Sequence, residues 1–439
     1  MDKNELKKLV CDEIDKQSEA IIEIGTDIFK HPELGFKEKR TAELVESIFS
    51  KLNLDYKKEI AITGLKAKAK GKNSIANVMV MGELDAVISP LHIDADKKTG
   101  ASHSCGHNAQ IASMLGSAIG LVPFMKYLDG DVTFAAVPAE EYVEFEYRKQ
   151  LLDEGKIVFF GGKQEWIRLG ELDDVDMGMM CHSHAGIEDR KFLIDCDSSG
   201  FYGKKVNFIG KEAHAGAEPF NGINALNAAS LSLMAINSLR ETFKEEDRVR
   251  VHPIITKGGD IVNTVPADVR MEMYVRAKTI KAVKESNDKV NRAIIGSAYA
   301  MGAKAEIIDI PGYLPLIQDK DINELFAQNS EQLLDKQANL YDLELMGATD
   351  AGDISSIMPF AHLSGGGFSG VAHSKTFEIC DPYMAYVMPA KTMAMTVIDL
   401  LFDEAKLAKE IKSKFKPAFT KQSYMDFWDT MKIADELKI

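Results

Sequence analysis

The run Ile75-Ala76-Asn77-Val78-Met79-Val80-Met81, followed by Gly82-Glu83-Leu84-Asp85, decides the fold. It is too uniformly apolar to alternate between a wet and a dry face, so it reads as a strand of a sheet covered on both sides. Two further runs repeat the form. Val132–Val137 leads into Pro138-Ala139-Glu140-Glu141, and Met177–Cys181 leads into His182-Ser183-His184. After His107, the residues Ile111, Met114, Leu115, Ala118, Ile119 and Val122 share one helical face until Pro123 stops the pattern. An earlier helical pattern runs from Ile14 to Phe29 and ends at His31-Pro32-Glu33. Alternating strand and helix patterns predict an α/β fold, a mixed, mostly parallel sheet sandwiched by helices. Ligands of open α/β sheets bind outside the carboxyl ends of strands, so Asp85, Glu140, Glu141 and His182 are expected to converge.

A different rhythm begins near Gly200. Strand patterns at Val206–Ile209, Val249–Ile255, Val269–Val275 and Ala305–Ile310 are interleaved with helical patterns at Ile223–Leu239 and Ile280–Tyr299. This β-α-β-β-α-β order is that of a ferredoxin-like α+β module. Pro311-Gly312 closes it, and helix–strand alternation then resumes to about Phe402. The expected organisation is a discontinuous first domain, 1–198 with 312–439, and an inserted domain, 199–311. The charged tail 403–439 starts helically, and its Phe415, Phe419, Tyr424, Phe427 and Trp428 are expected to pack back onto the body.

Composition narrows the class. A chain of 439 residues, 45% hydrophobic and 27% charged, can bury a large interior. Its formal charge of -14 argues against a nucleic-acid partner, which calls for a basic face. The first residues lack the pattern of a signal peptide and no segment reads as a membrane span, so no membrane partner and a cytoplasmic location are expected. Cys11, Cys105, Cys181, Cys196 and Cys380 are odd in number and irregularly spaced, which suits reduced thiols.

Ser104-Cys105-Gly106-His107-Asn108 sets a thiol and an imidazole two positions apart just before a helix. Thiolate sulfur and imidazole nitrogen both suit a transition metal. A buried thiol beside a histidine is the plainer reading of the pair alone. Glu140-Glu141 crowds two carboxylates that repel unless a cation or a proton intervenes. With a metal present, one can ligate while the other carries a proton, the division of labour that metal-assisted hydrolysis needs. The competing reading, a solvated surface pair, fits poorly behind a buried-type strand. Gly365-Gly366-Gly367-Phe368-Ser369-Gly370-Val371-Ala372-His373 and Gly347-Ala348-Thr349-Asp350-Ala351-Gly352-Asp353 are small-residue segments suited equally to close ligand approach or to plain turns. In the second module His214, Asn263 and Arg276 stand out. His214 has the chemistry to donate to an oxyanion, and Arg276 to pair with a substrate carboxylate.

Taken in order, these residues resemble the superfamily of metal-dependent aminoacylases, glutamate carboxypeptidases and related amidohydrolases. The likeness rests on His31-Pro32-Glu33-Leu34-Gly35-Phe36, Gly82-Glu83-Leu84-Asp85-Ala86, Cys105-Gly106-His107-Asn108, Pro138-Ala139-Glu140-Glu141, His214-Ala215 with Asn224-Ala225-Leu226, and Ala372-His373. It spans nearly the whole chain and implies a zinc-exopeptidase-like first domain with a dimerisation and lid module inserted. The Cys-Gly-His-Asn form, Asp173-Asp174-Val175-Asp176 and Thr349-Asp350-Ala351-Gly352-Asp353 look most like the Cys-ligand branch, in particular the B-type aminobenzoyl-glutamate hydrolases.

The resemblance implies that Cys105, His107, Glu141, His182 and His373 ligate one or two divalent ions, zinc or manganese. It makes Glu140 the general base and acid, Asp85 the residue that orients a ligand, and His214 an oxyanion donor. Asn263 and Arg276 of the second module are, from their own residue types, the candidate substrate-binding residues. Glu83 stands where other branches place a metal-binding His, and Gln110 where many relatives have a second His. His184 competes with His182, although Met179-Met180-Cys181-His182 fits the pattern better. The implied function is metal-dependent hydrolysis of an amide in an N-acyl amino acid or small dipeptide, with aminobenzoyl-glutamate-like compounds among the candidates, by a homodimer. An aminopeptidase or dipeptidase is the alternative of the same class. A non-catalytic binding or regulatory protein working with a paralogous partner is the alternative of another class.

Overall fold

The computed structural model of the chain describes residues 1–186, 190–334, 338–341 and 347–429. They fall into two compact units. The first comprises Met1–Asp197, Ile317–Glu344 and Asp353–Ala418, and the second Ser198–Leu316, Leu345–Gly352 and Phe419–Ile439.

The first unit is built on an eight-stranded sheet. Its spatial order is Asp55–Ile60, Gly64–Ala69, Asp131–Val137, Asn77–Glu83, Met177–Ser183, Phe360–Gly365, Phe192–Leu193 and Asn339–Leu340. The four strands from Asp131–Val137 to Phe360–Gly365 run parallel, and antiparallel pairings flank them. Successive side chains of a strand point to opposite faces. Every residue of Asn77–Glu83 and Asp131–Val137 is buried, so both faces of the sheet are covered there. The first strand starts two residues later than its apolar run predicts. Ile75 is exposed, and the Asn77 N–H is tied to the Asp176 carboxylate at 2.7 Å.

The helical pattern expected over Ile14–Phe29 is two helices, Lys3–Lys16 and Ser18–Lys30, broken at Gln17. No segment was expected to match a membrane span, yet two helical stretches, His107–Tyr127 and Tyr383–Lys414, are long and apolar enough to do so. Their apolar windows are 78% and 94% buried inside the protein, and the second is interrupted by non-helical backbone from Phe402 to Ala405. A helix apolar all round is what the middle of a large core demands.

The second unit has a four-stranded antiparallel sheet, ordered Arg250–Lys257, Asp268–Ala277, Gly200–Ile209 and Lys304–Pro311. The helices Ala225–Ser238 and Ile280–Ala300 complete the β-α-β-β-α-β order. Burial alternates along Asp268–Ala277, the mark of a sheet with one covered face. Val206, Phe208, Ala229, Met271, Val290 and Ile294 form part of its core. Asn224 caps the first helix by accepting from the Leu226 and Asn227 N–H groups, and Thr279 caps the second through Ala282. Each cap contributes about 1 kcal/mol.

The tail differs from the expected division. Trp428 packs its ring 5.5 Å from Tyr202, so the chain from Phe419 groups with the second unit and not with the sheet domain. Residues 187–189, 335–337, 342–346 and 430–439 of the expected domain lie outside the described residues.

Candidate metal centre

Strand ends and one helix start supply the polar residues of the first unit. Glu83 ends the Asn77–Glu83 strand and Asp85 follows it, Glu140 and Glu141 follow Asp131–Val137, and His182 lies near the end of Met177–Ser183. His107 opens the helix His107–Leu121. Gly106, ahead of it, has φ +82° and presses so closely on Ser183 that a Cβ would sit 2.5 Å from that side chain. Only glycine meets both demands, and the turn it makes carries Cys105 and His107 into one cluster. His373 arrives from the far end of the chain, its N–H bound to the Ser104 carbonyl at 2.8 Å.

The Cys105 sulfur lies at the centre. It is 3.1 Å from His373 Nε2 and 3.5 Å from His182 Nε2. Glu141 Oε1 is 3.2 Å from His373 Nε2. Donor atoms of Cys105, His107 and His182 converge, as do those of Cys105, Glu141 and His373, so the sulfur is common to two sets of three. A third group joins Glu83, His107 and Glu140.

Hydrogen bonds fix which nitrogen each imidazole offers. His107 Nδ1 is 2.9 Å from the Asp85 carbonyl and His182 Nδ1 is 2.7 Å from the Ser183 carbonyl. A carbonyl only accepts, so Nδ1 carries a proton in both rings and Nε2 is the nitrogen turned toward the cluster. The Asp85 carboxylate accepts the N–H groups of Glu140 and Glu141 at 3.1 and 2.9 Å. Asp85 thus holds both the histidine and the acidic pair.

The electrostatics suit a bound cation. Burial pushes the Cys105 thiol up, but His107 and His182 outweigh it and hold the group well below the usual thiol range. Burial and the adjacent Cys105 sulfur push the Glu141 carboxyl up to about 7, against the pull of His373. Hydrogen bonds to Cys105 and Glu141 raise His373 to about 11. His107 Nε2 and Glu141 Oε1 are buried without an aligned hydrogen-bond partner among the described residues. Orphaned nitrogen and carboxylate donors around a thiolate fit a divalent transition metal.

Sequence reasoning missed several neighbours. Glu83 is held by Lys163 at 2.5 Å and Gln110 at 2.6 Å, and its Oε2 lies 3.1 Å from His107 Nε2. Gly161-Gly162-Lys163 advertises only a turn. His362 stacks on His182 with ring centroids 5.6 Å apart. Arg148, fully buried, donates to the carbonyls of Glu141 and Phe160. The His31–Phe36 motif is architectural: Glu33 accepts from the N–H groups of Arg40 and Thr41 and caps the helix Lys39–Lys51. His184 joins none of the three donor groups found among the described residues.

His214, Asn263 and Arg276 lie in the second unit. His214 is exposed, and its Nδ1 accepts from the N–H groups of Gly216 and Ala217 at 3.2 and 3.1 Å. Its Nε2 therefore carries the proton and is a donor. Asn263 is exposed, its carbonyl bound by the Ala215 N–H at 2.8 Å. The Arg276 guanidinium sits over the rings of Phe201 and Tyr274, 5.1 and 5.4 Å from their centroids.

The chain is similar to several known proteins. The peptidase dimerisation domain family matches residues 198–299. The chain is 25% identical over 435 residues to the Xaa-Arg dipeptidase of Mus musculus, covering 94% of this chain and 92% of that protein. It is 25% identical over 390 residues to the IAA-amino acid hydrolase ILR1-like 4 of Arabidopsis thaliana, covering 83% and 82%. Solved structures share the fold at lower identity. A putative aminohydrolase from methicillin-resistant Staphylococcus aureus aligns with TM-score 0.78 and 20% identity, covering 90% of this chain and all of that one. The YXEP protein of Bacillus subtilis, described as a dinuclear metal-binding peptidase of the M20 family, gives 0.69 and 19%, covering 88% and 99%. An aminobenzoyl-glutamate utilization protein from Klebsiella pneumoniae gives 0.67 and 16%, covering 88% and 97%. A segment matching the peptidase dimerisation domain family, and a likeness over most of the chain to a dipeptidase and an amino acid hydrolase, make this chain similar to metal-dependent amidohydrolases and peptidases.

Proposed function

We propose that the protein hydrolyses the amide bond of an N-acyl amino acid or small dipeptide bearing a free carboxylate, in the manner of the Cys-ligand branch. The observation that carries this reading is the Cys105 sulfur shared between two donor sets, 3.1 Å from His373 and 3.5 Å from His182. In this reading Cys105, His107 and His182 hold one ion, and Cys105, Glu141 and His373 hold another, with zinc or manganese as the native metal. When bound, the metal supplies Lewis-acid polarisation of the amide carbonyl and a lowered water pKa. Glu140 takes the proton of the attacking water and returns it to the leaving nitrogen. Asp85 keeps Glu140 and Glu141 aimed through their N–H groups. The proton on His214 Nε2 is offered to the developing oxyanion, Arg276 receives the substrate carboxylate, and Asn263 contributes to substrate binding.

The dimerisation-family match supports a homodimer, and a reducing cytoplasmic setting would preserve the Cys105 thiolate. The dipeptidase and amino-acid-conjugate hydrolase among the relatives favour small carboxylate-bearing substrates, and the Klebsiella structural neighbour adds aminobenzoyl-glutamate to the compounds to try. A screen of the metal-reconstituted protein against N-acyl amino acids, dipeptides and aminobenzoyl-glutamate tests the reading. Glu140→Gln should lower kcat by about 100-fold or more while metal content stays at the wild-type level; retained turnover removes Glu140 from the role of base.

A further inference from the structure

The turn that presents Glu140 and Glu141 is held at three successive N–H groups. Asp85 takes those of Glu140 and Glu141, and the Glu38 carboxylate takes that of Ala139 at 2.9 Å. Ala139 has φ +56°. That is the left-handed region, which a residue with a Cβ enters only under constraint. On the other side of the turn the Ala139 carbonyl accepts from the Gly162 N–H at 3.3 Å. Gly162 packs so tightly on Pro138 that a Cβ would lie 1.8 Å from its carbonyl oxygen.

Glu38 is an unusual residue to find there. It is fully buried and has no cationic partner among the described residues. Its second oxygen accepts from the Thr63 hydroxyl at 2.6 Å. A buried carboxylate without a countercharge is costly, and hydrogen-bond donors are what make it tolerable. Here one of the donors, beside the Thr63 hydroxyl and the N–H of Glu38 itself, is the N–H of the strained residue.

We propose that Glu38 is a positioning residue for the Glu140-Glu141 pair, acting through the left-handed backbone of Ala139. Without that acceptor Ala139 relaxes toward right-handed or extended backbone, and the two acidic side chains after it turn away from Cys105, His107 and His373. The inference rests on the reading of Glu141 as a metal ligand. Outer-shell partners of ligands commonly govern affinity in this way.

Zinc affinity, measured by chelator competition on full-length protein with folding followed by circular dichroism, tests it. Glu38→Leu should weaken Zn²⁺ binding about tenfold or more. Glu38→Gln keeps an acceptor for the Ala139 N–H and should bind as wild type does. Thr63→Val, which removes the hydroxyl hydrogen bond to Glu38, should also leave affinity unchanged. Glycine holds φ +56° without help, so Glu38→Leu with Ala139→Gly should recover most of the loss. A folded Glu38→Leu protein of wild-type affinity, or a double variant no tighter than the single one, overturns the proposal. If Glu38→Leu alone does not fold, the double variant decides: native affinity supports the role and failure to fold ends it. Glu141→Gln is run alongside. Wild-type affinity there removes Glu141 from the ligand set, while the order of Glu38→Leu below its double variant still decides the role of Glu38.

Discussion

The Cys105 sulfur and His373 Nε2 lie 3.1 Å apart although 268 positions separate them in the chain. Among the described residues Cys105 joins the set with His107 and His182 to the set with Glu141 and His373, whereas His373 belongs to only one set. Cys105→Ala should therefore lose nearly all bound metal, and His373→Ala should retain part of it. Plasma-emission stoichiometry on both variants measures this, and equal loss from the two would contradict a bridging sulfur.

Much of this arrangement is readable in the chain because the physics is local. A uniformly apolar run ending in acid or histidine names a covered strand and its carboxyl end, and Asp131–Val137 with Met177–Ser183 follow that rule. The supporting groups are not readable in the same way. Lys163 and Glu38 are types that normally face water, and nothing next to them in sequence announces burial. Their partners Glu83 and Ala139 come from other elements. The break at Gln17 involves neither glycine nor proline, and the tail joins the second unit through Tyr202, a partner that no periodicity reveals.

Burial, with Asp85 nearby, pushes the Glu38 carboxyl up to about 8 from 4.5. A carboxyl with a raised folded pKa binds more protons folded than unfolded. Its contribution to stability is whole below about pH 4.5 and lost as pH rises toward 8. Glu38→Gln cannot ionise, so its stability relative to wild type should climb through that window by at most about 1.4 kcal/mol per pH unit. Urea unfolding of metal-free protein across the range reads the difference. A pH-independent gap would mean that Glu38 does not titrate there.

Arg276 has aromatic rings rather than a carboxylate beside it among the described residues, and burial lowers its pKa. A guanidinium so placed is free to pair bidentately with an incoming acid. Arg276→Ala should raise KM for carboxylate-bearing substrates by about tenfold or more, from the loss of a charged hydrogen bond of about 1.5–3 kcal/mol, with kcat less affected. Matched amidated substrates provide the control. An equal KM change on both would assign Arg276 to structure instead of binding.

Lys163 and Glu83 form a fully buried ion pair at 2.5 Å, with Gln110 on the second Glu83 oxygen. Removing one member of such a pair leaves a desolvated charge and costs about 3–5 kcal/mol, whereas removing both can be nearly neutral. Lys163→Met should therefore lower the urea midpoint sharply. Adding Glu83→Gln, which keeps the shape and discards the charge, should restore much of the loss. His107 Nε2 lies 3.1 Å from the same carboxylate, so the uncompensated charge in Lys163→Met also bears on a metal-site nitrogen. Zinc affinity should consequently shift in Lys163→Met and move back toward wild type in the double variant. If the double variant is no more stable than Lys163→Met, the loss comes from packing of the lysine stem and not from the stranded charge of Glu83.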